Sequence, residues 1–166
     1  MTTDIPTFTM ERRFDAPVDL VWRAWTEPDL FSRWYGPGAD TVILEFDPNQ
    51  GGGWRLEMRM GERVGYQSAR FDDVDAPRRL SMLQQVHNAE WEVASDPNMP
   101  DWPRALRADI TLTPDGEGTL LRLDWTPEDA EDREIEFFRQ MMDNLGRGWG
   151  MGFDEMGRML EEMQAA

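Results

Sequence analysis

The sequence has no cysteine, no lysine and a single histidine, His87, and each of these gaps excludes a class of chemistry. Without cysteine there are no disulfides, thiolate metal sites, iron–sulfur clusters or cysteine nucleophiles. All 17 basic residues are arginine, so there is no side-chain Schiff base and no P-loop lysine. One histidine is too few for a multi-histidine zinc site or a two-histidine iron triad.

The acidic residues do not form a recognisable metal site either. Calcium requires about six to eight oxygen ligands, and the acidic turn at residues 72–75 supplies too few. The segment that begins at Asp47 starts like an EF-hand loop, but Met58 stands at the twelfth position, where that loop needs glutamate. We therefore expect neither a metal nor a cofactor.

Negative charge dominates the composition, with a formal net charge of −16. An acidic protein is repelled by nucleic acids and by anionic membrane surfaces, so we expect neither as a partner. Residues 1–14 lack a basic start followed by an apolar run, and the sequence has no stretch of about 18 apolar residues. We expect a soluble, cytoplasmic protein.

The length of 166 residues fits one domain. A chain of this size buries about 70% of its extended surface on folding, which is enough for a full core without disulfides or metals. No linker and no internal repeat divides the sequence. We therefore expect a single domain over residues 1–166.

The N-terminal part predicts one strand and two short helices. Residues 7–14 alternate between apolar and polar side chains, which is typical of a half-buried strand. Asp15-Ala16-Pro17 is a helix start, and the apolar residues up to Trp25 follow at helical spacing. Glu27-Pro28 ends that helix, and residues 29–34 predict a second one.

Six further strands are predicted from alternating apolar residues separated by turn residues. They are Val42–Asp47, Trp54–Met60, Val64–Asp72, Leu80–Val86, Leu106–Leu112 and Leu121–Trp125. Residues 87–104 contain three prolines and two tryptophans and are predicted to be irregular.

The C-terminal segment predicts one long helix, because its apolar residues recur every three or four positions. They are Ile135, Phe138, Met142, Leu145, Trp149, Phe153, Met156, Leu160 and Met163. Four glycines between residues 146 and 152 weaken a helix, so we expect either a kink or a very close neighbour there. One helix can cover seven strands only if the sheet curves around it.

Four local motifs resemble the landmarks of a known family. They are Phe14-Asp15-Ala16-Pro17 with the tryptophan-rich segments at 21–26 and 33–37, Asp47 with the glycine run at 51–55, Gly118-Thr119, and Gly148-Trp149. In this order they resemble the domain named for the activator of the 90-kDa heat-shock chaperone ATPase. That family belongs to the START and birch-pollen-allergen superfamily, also called SRPBCC. The similarity spans about residues 8–160, and residues 87–104 match no family feature.

The resemblance implies an α+β helix-grip fold, in which a seven-stranded curved antiparallel sheet wraps around a long C-terminal helix and two short helices follow strand 1. Members of the family hold hydrophobic ligands between sheet and helix or act as chaperone partners, and related cyclases and aromatases are enzymes. We favour binding of a small hydrophobic or aromatic ligand without catalysis. A partner of the 90-kDa chaperone and a cyclase- or hydrolase-type enzyme remain the alternatives.

Ten residues are predicted to line a ligand cavity, from strand parity and from the helical stripe. They are Trp54, Leu56, Met58, Met60, Tyr66, Met82, Met142, Leu145, Trp149 and Phe153. Methionine adapts to irregular shapes and suits a cavity with variable contents. The alternative is that these side chains simply fill the core, and Tyr66 belongs to the set only if Val64 also faces inward.

No catalytic residue is predicted. His87 has a side chain suited to general-base chemistry near neutral pH, but no nucleophile or carboxylate lies at a recognisable spacing from it. Gln84 and His87 remain polar candidates for orienting a ligand, whereas strand parity directs Arg55 outward.

Overall fold

A curved antiparallel sheet and one long helix dominate the computed structural model, which describes residues 4–165. Within those residues there are seven strands and three helices, in the predicted order. They are β1 (Phe8–Phe14), α1 (Val18–Thr26), α2 (Pro28–Trp34), β2 (Asp40–Asp47), β3 (Gly53–Met60), β4 (Arg63–Asp75), β5 (Arg79–His87), β6 (Ala105–Asp115), β7 (Gly118–Pro127) and α3 (Asp132–Ala165).

The strand order is β1-β7-β6-β5-β4-β3-β2, and every neighbouring pair is antiparallel. The two edge strands, β1 and β2, follow each other in the sequence, so α1 and α2 carry the chain across the full width of the sheet. From β2 the chain returns strand by strand to β7, beside β1. This architecture confirms the predicted α+β helix-grip fold.

The core lies between the concave face of the sheet and α3. Alternation fixes which side chains reach it: in β3, Trp54 and Leu56 are buried while Arg55 is exposed. The stripe on α3 meets this face through buried residues such as Phe138 and Phe153. Burial of apolar surface against one continuous helix stabilises the sheet in its curved form.

A cluster of aromatic rings fixes α1 and α2 against the rest of the core. The ring centroids of Trp25 and Trp34 are 4.7 Å apart, and Trp34 also lies 6.1 Å from Phe153 of α3. The Trp34 indole donates a hydrogen bond to the Ala24 carbonyl at 2.8 Å, which ties the two short helices together. The end of α2 is thereby held beside α3.

The glycine-rich part of α3 is continuous helix with a close neighbour, which was one of the two expected outcomes. A Cβ atom placed on Gly152 would lie 3.3 Å from the Trp34 carbonyl oxygen, closer than most side chains approach a backbone. Gly152 therefore allows α2 and α3 to pack closely.

Glu134 anchors the start of α3. Its side chain is 1% exposed and accepts hydrogen bonds of 2.9 Å each from the backbone N–H groups of Glu131 and Arg104. The Arg104 guanidinium also contacts it. Burial raises the pKa of Glu134, but these hydrogen bonds outweigh burial and lower it overall. The carboxylate joins the irregular segment before β6 to the first turn of α3.

We expect Glu134→Ala to lower the free energy of unfolding by about 1–3 kcal/mol, because two backbone N–H groups and one guanidinium lose their acceptor. Glu136→Ala is the matched control: it lies on the exposed side of the same helical turn, pairs with Arg139, and should change stability by less than about 0.5 kcal/mol. Urea unfolding of both variants measures the difference. Equal losses in the two variants would contradict the anchoring role.

Candidate ligand cavity

A cavity of about 290 Å³ opens between the end of α2, the inner face of β3 and β4, and the middle of α3. Of the described residues that line it, none carries a charge. They are Trp34, Tyr35, Gly36, Pro37, Met58, Gln67, Asn144, Leu145, Gly148, Trp149, Met151 and Gly152. Such a lining, largely apolar with a few polar groups, is typical of small-molecule sites.

The segment after α2 forms one wall. The Tyr35 N–H donates to the Phe31 carbonyl at 3.0 Å and ends the helix, and the Thr41 hydroxyl holds the Tyr35 carbonyl at 2.9 Å. Gly36 then adopts a φ of +69°, and a Cβ atom there would lie 2.1 Å from the Met58 methyl carbon. Glycine is favoured there because the left-handed backbone is strained for other residues, and a side chain would also force the Met58 methyl to shift.

Trp149 forms the opposite wall and is 9% exposed. Its ring lies 6.1 Å from that of Tyr35 and 5.3 Å from that of Trp125, and it stacks on Trp25 at 6.4 Å. Three aromatic residues from outside α3 therefore fix the orientation of the Trp149 indole.

A short series of polar side chains crosses the apolar interior beside the cavity. The Tyr35 hydroxyl donates to Gln67 Oε1 at 3.2 Å, and Gln67 Nε2 donates to Met58 Sδ at 3.1 Å. Deeper in the sheet, Trp125 Nε1 donates to Gln84 Oε1 at 2.8 Å. Burial raises the pKa of Tyr35 well above its usual range, so the hydroxyl is neutral and serves as a hydrogen-bonding group.

The ten residues predicted to line the cavity are distributed between it and the core. Met58, Leu145 and Trp149 line the cavity. Four others are buried in the core beside it, namely Trp54, Leu56, Met82 and Phe153. Met142 is partly buried and packs against that core. The concave face is larger than the cavity, so most of its side chains fill space rather than line it.

Tyr66 and Met60 do not lie in this cavity. In the β3–β4 pairing Leu56 faces Gln67, whereas Tyr66 faces Glu57, so Tyr66 points to the convex side. Met60 lies at the end of β3 and is 47% exposed. Both residues line a second cavity of about 360 Å³ beneath residues 88–98. Gln67, one position from Tyr66, occupies the inward site and lines both cavities.

The sequence patterns do not reveal the residues that α2 and the following turn contribute to the cavity, above all Tyr35. Their signal is the Arg33-Trp34-Tyr35-Gly36-Pro37 motif itself, in which two large rings precede a glycine. Alternation and helical periodicity assign residues to faces of their own element but do not say where a short helix docks.

His87 lies on the convex face, away from the first cavity. Its Nε2 is 2.7 Å from the Ser68 hydroxyl and its Nδ1 is 3.1 Å from the Trp91 carbonyl oxygen. The Trp91 ring packs against Tyr66 and His87, and the Arg55 guanidinium lies 5.1 Å from the centre of that ring. Partial burial, together with the nearby Arg55 charge, lowers the pKa of His87 although its backbone hydrogen bonds raise it.

Two features are absent over residues 4–165. No group of three or more acidic or histidine side chains is arranged to hold a metal ion. No helix in that part of the chain is long and apolar enough to cross a membrane.

Residues 15–161 match the model of a family described as Activator of Hsp90 ATPase homolog 1-like protein. No curated protein has significant sequence similarity to the chain.

Several solved structures share the fold. A protein from Arthrobacter aurescens has a TM-score of 0.79 at 17% identity, covering 98% of this chain and 93% of that one. A protein from Staphylococcus epidermidis has a TM-score of 0.77 at 19% identity, with coverage of 98% and 93%. A third, from Nitrosomonas europaea, has a TM-score of 0.70 at 24% identity, with 95% of each chain covered. At these identities the likeness concerns the fold alone.

The lowered pKa of His87 predicts a loss of stability in mild acid. The unfolded chain takes up a proton near the ordinary histidine pKa of 6.5, before the folded protein does, so stability falls as pH decreases through that value. Denaturation midpoints measured between pH 7.5 and 5.5 should decrease in the wild-type protein and change less in His87→Gln. Because His87 is the sole histidine, identical pH slopes in the two proteins would refute this assignment.

Proposed function

Because this chain belongs to the family of Activator of Hsp90 ATPase homolog 1-like proteins, we propose that it binds a small hydrophobic or aromatic molecule in the cavity between the curved sheet and α3. The family and the fold support a ligand-binding domain in general. The observation that carries the finer proposal is the uncharged cavity of about 290 Å³ walled by Tyr35 and Trp149.

The two aromatic walls suit a flat ligand. Rings of the ligand gain both apolar burial and favourable edge or stacked contacts with Tyr35 and Trp149. Met58, which is unbranched, adapts to the outline of what lies between them. A ligand that buries about 300 Å² of apolar surface gains about 7 kcal/mol before the costs of association are subtracted, and those costs, at least about 4 kcal/mol, set the net affinity.

The composition of the lining favours binding over catalysis. Among the described residues of the cavity there is no carboxylate, histidine or arginine, and the one ionisable group is Tyr35. Its pKa is raised by burial, which makes it a poor general base at neutral pH. A cyclase or hydrolase needs an acid or base directed at its substrate, and His87 lies on the other face of the sheet.

We expect the native protein to bind N-phenyl-1-naphthylamine with one site per chain. This probe is neutral, which matters because a net charge of −16 repels anionic dyes. Titration by fluorescence gives the stoichiometry and affinity.

Filling the cavity should abolish that binding. Met58→Trp adds bulk to a side chain that lines the cavity, whereas Met60→Trp adds the same bulk two residues further along the strand, at a half-exposed position outside it. We expect binding to fall more than about tenfold in the first variant and to stay unchanged in the second, with both folded by circular dichroism.

Three results would count against the proposal. They are no probe binding by the native protein, equal binding by the two variants, and a loss of stability of about 1–3 kcal/mol in Met58→Trp, as expected for overpacking of a solid core. Absence of binding would leave the chaperone-partner interpretation as the better one.

A further inference from the structure

The direction of one hydrogen bond near the cavity, from Trp125 to Gln84, is fixed by the chemistry of the indole. An indole N–H donates and never accepts. The Gln84 atom 2.8 Å from Trp125 Nε1 is therefore the amide oxygen, and the Gln84 amide nitrogen points the other way. Gln84 is 6% exposed, so its nitrogen needs partners inside the protein.

The Gln84 amide nitrogen lies 3.6 Å from Met82 Sδ. The Gln84 side chain also interacts with the Tyr35 hydroxyl and lowers the pKa of Tyr35, against the larger effect of burial. The Tyr35 hydroxyl donates its proton to Gln67 Oε1 at 3.2 Å, which leaves the Gln67 amide nitrogen directed away from Tyr35. Trp125, Gln84, Tyr35 and Gln67 thus form one series of neighbouring polar side chains.

This series ends at Gln67 Nε2, whose partner is the Met58 sulfur at 3.1 Å. A thioether is a weak acceptor. Asn144 at the cavity mouth has the same pair of contacts, since Arg147 donates to its oxygen and its nitrogen donates to Met141 Sδ at 3.5 Å, but Asn144 is exposed and water can serve as an acceptor there. Each of these amides has its oxygen engaged by a good donor and its nitrogen directed at sulfur.

Two further hydrogen-bond donors in the interior lack an acceptor. The buried indole N–H groups of Trp25 and Trp54 have no hydrogen-bond acceptor among the described residues. Both rings pack against walls of the cavity, Trp25 on Trp149 at 6.4 Å and Trp54 on Tyr35 at 5.7 Å. Three donors at or beside the cavity, on Gln67, Trp25 and Trp54, therefore lack a good acceptor among the described residues.

We propose that the ligand is a neutral aromatic compound carrying a carbonyl oxygen, and that Gln67 Nε2 donates a hydrogen bond to that oxygen. This inference rests on the proposed ligand-binding function and narrows it. The carbonyl replaces the Met58 sulfur as the acceptor, and Met58 has the rotatable bonds to move aside. A carboxylate fits poorly, because no cationic side chain lines the cavity in the part of the chain that is described.

The hydrogen bond from Tyr35 strengthens this donor. A donor at the Gln67 amide oxygen polarises the amide group, so the Gln67 N–H is a better donor than that of an isolated amide. The low polarity of the surroundings adds to this effect. Tyr35 acts as a positioning residue, because it fixes which end of the Gln67 amide faces the ligand.

Fluorenone and fluorene test the proposal, since they share one shape and differ in a carbonyl against a methylene group. Calorimetric titration gives the ratio of their affinities for the wild-type protein and for Gln67→Met, which keeps the length of the side chain but removes the donor. We expect the ratio to fall about tenfold in the variant, the order that one hydrogen bond supplies. Gln140→Met makes the same substitution at an exposed position of α3 outside the cavity and should leave the ratio unchanged.

The carbonyl stretching band gives a second readout that requires no variant. Bound fluorenone should absorb at lower frequency in the wild-type protein than in an apolar solvent. The proposal is overturned if that shift is absent, if Gln67→Met keeps the wild-type affinity ratio, or if Gln140→Met lowers the ratio as much as Gln67→Met does. In each of these cases both compounds still bind, so the general binding function stands. If neither compound binds, that function fails together with the inference.

Discussion

A single helix has to cover the concave face of seven strands, and most of the architecture follows from that requirement. Leaving the face open would expose Leu106, Ile110 and their neighbours to water, at a cost proportional to the apolar area. The sheet therefore curves around α3, and the two short helices cover the part that α3 does not reach. A straight helix cannot contact a curved sheet along its whole length, so a gap remains between them. The cavity is this gap, where α2, α3 and β3 meet.

Polar side chains inside this apolar space need partners, and their arrangement links the fold to the site. Gln84 and Gln67 each project from the sheet toward the helix, and Tyr35, which follows α2, donates a hydrogen bond to Gln67 and interacts with Gln84. An unmet buried polar group costs about as much as a hydrogen bond is worth, so such a series fixes the positions of the strands and the turn together. Gln84, Gln67 and Tyr35 therefore both make this wall of the cavity rigid and supply its hydrogen-bonding groups.

The sequence predicts the fold more completely than the site, and the reason is physical. Period-two and period-3.6 patterns report which side of its own element a residue occupies, which was enough to place Met58, Leu145 and Trp149 at the cavity. The prediction for Tyr66 missed the inward-facing residue of β4, Gln67, by one position. Alternation in β4 is hard to read, because Val64 is an apolar residue that is 40% exposed and because a register shift between Phe71 and Asp73 changes which residues face inward. Tyr35 depends on how α2 docks, which is a tertiary property without a local pattern.

The sheet pairs its first strand with its last: Thr7 and Thr126, which share a hydrogen bond, are 119 residues apart, and β1 lies at the edge of the sheet beside β7. During synthesis β1 is therefore made first among the strands, whereas its partner is made last. Its apolar face, with Phe8 and Phe14, has no neighbouring strand until β7 has been produced, about three-quarters of the way along the chain. Loop closure over this distance is slow, and exposed strand edges associate with other chains. The step at which this protein is most vulnerable in a cell is thus the last pairing of its sheet.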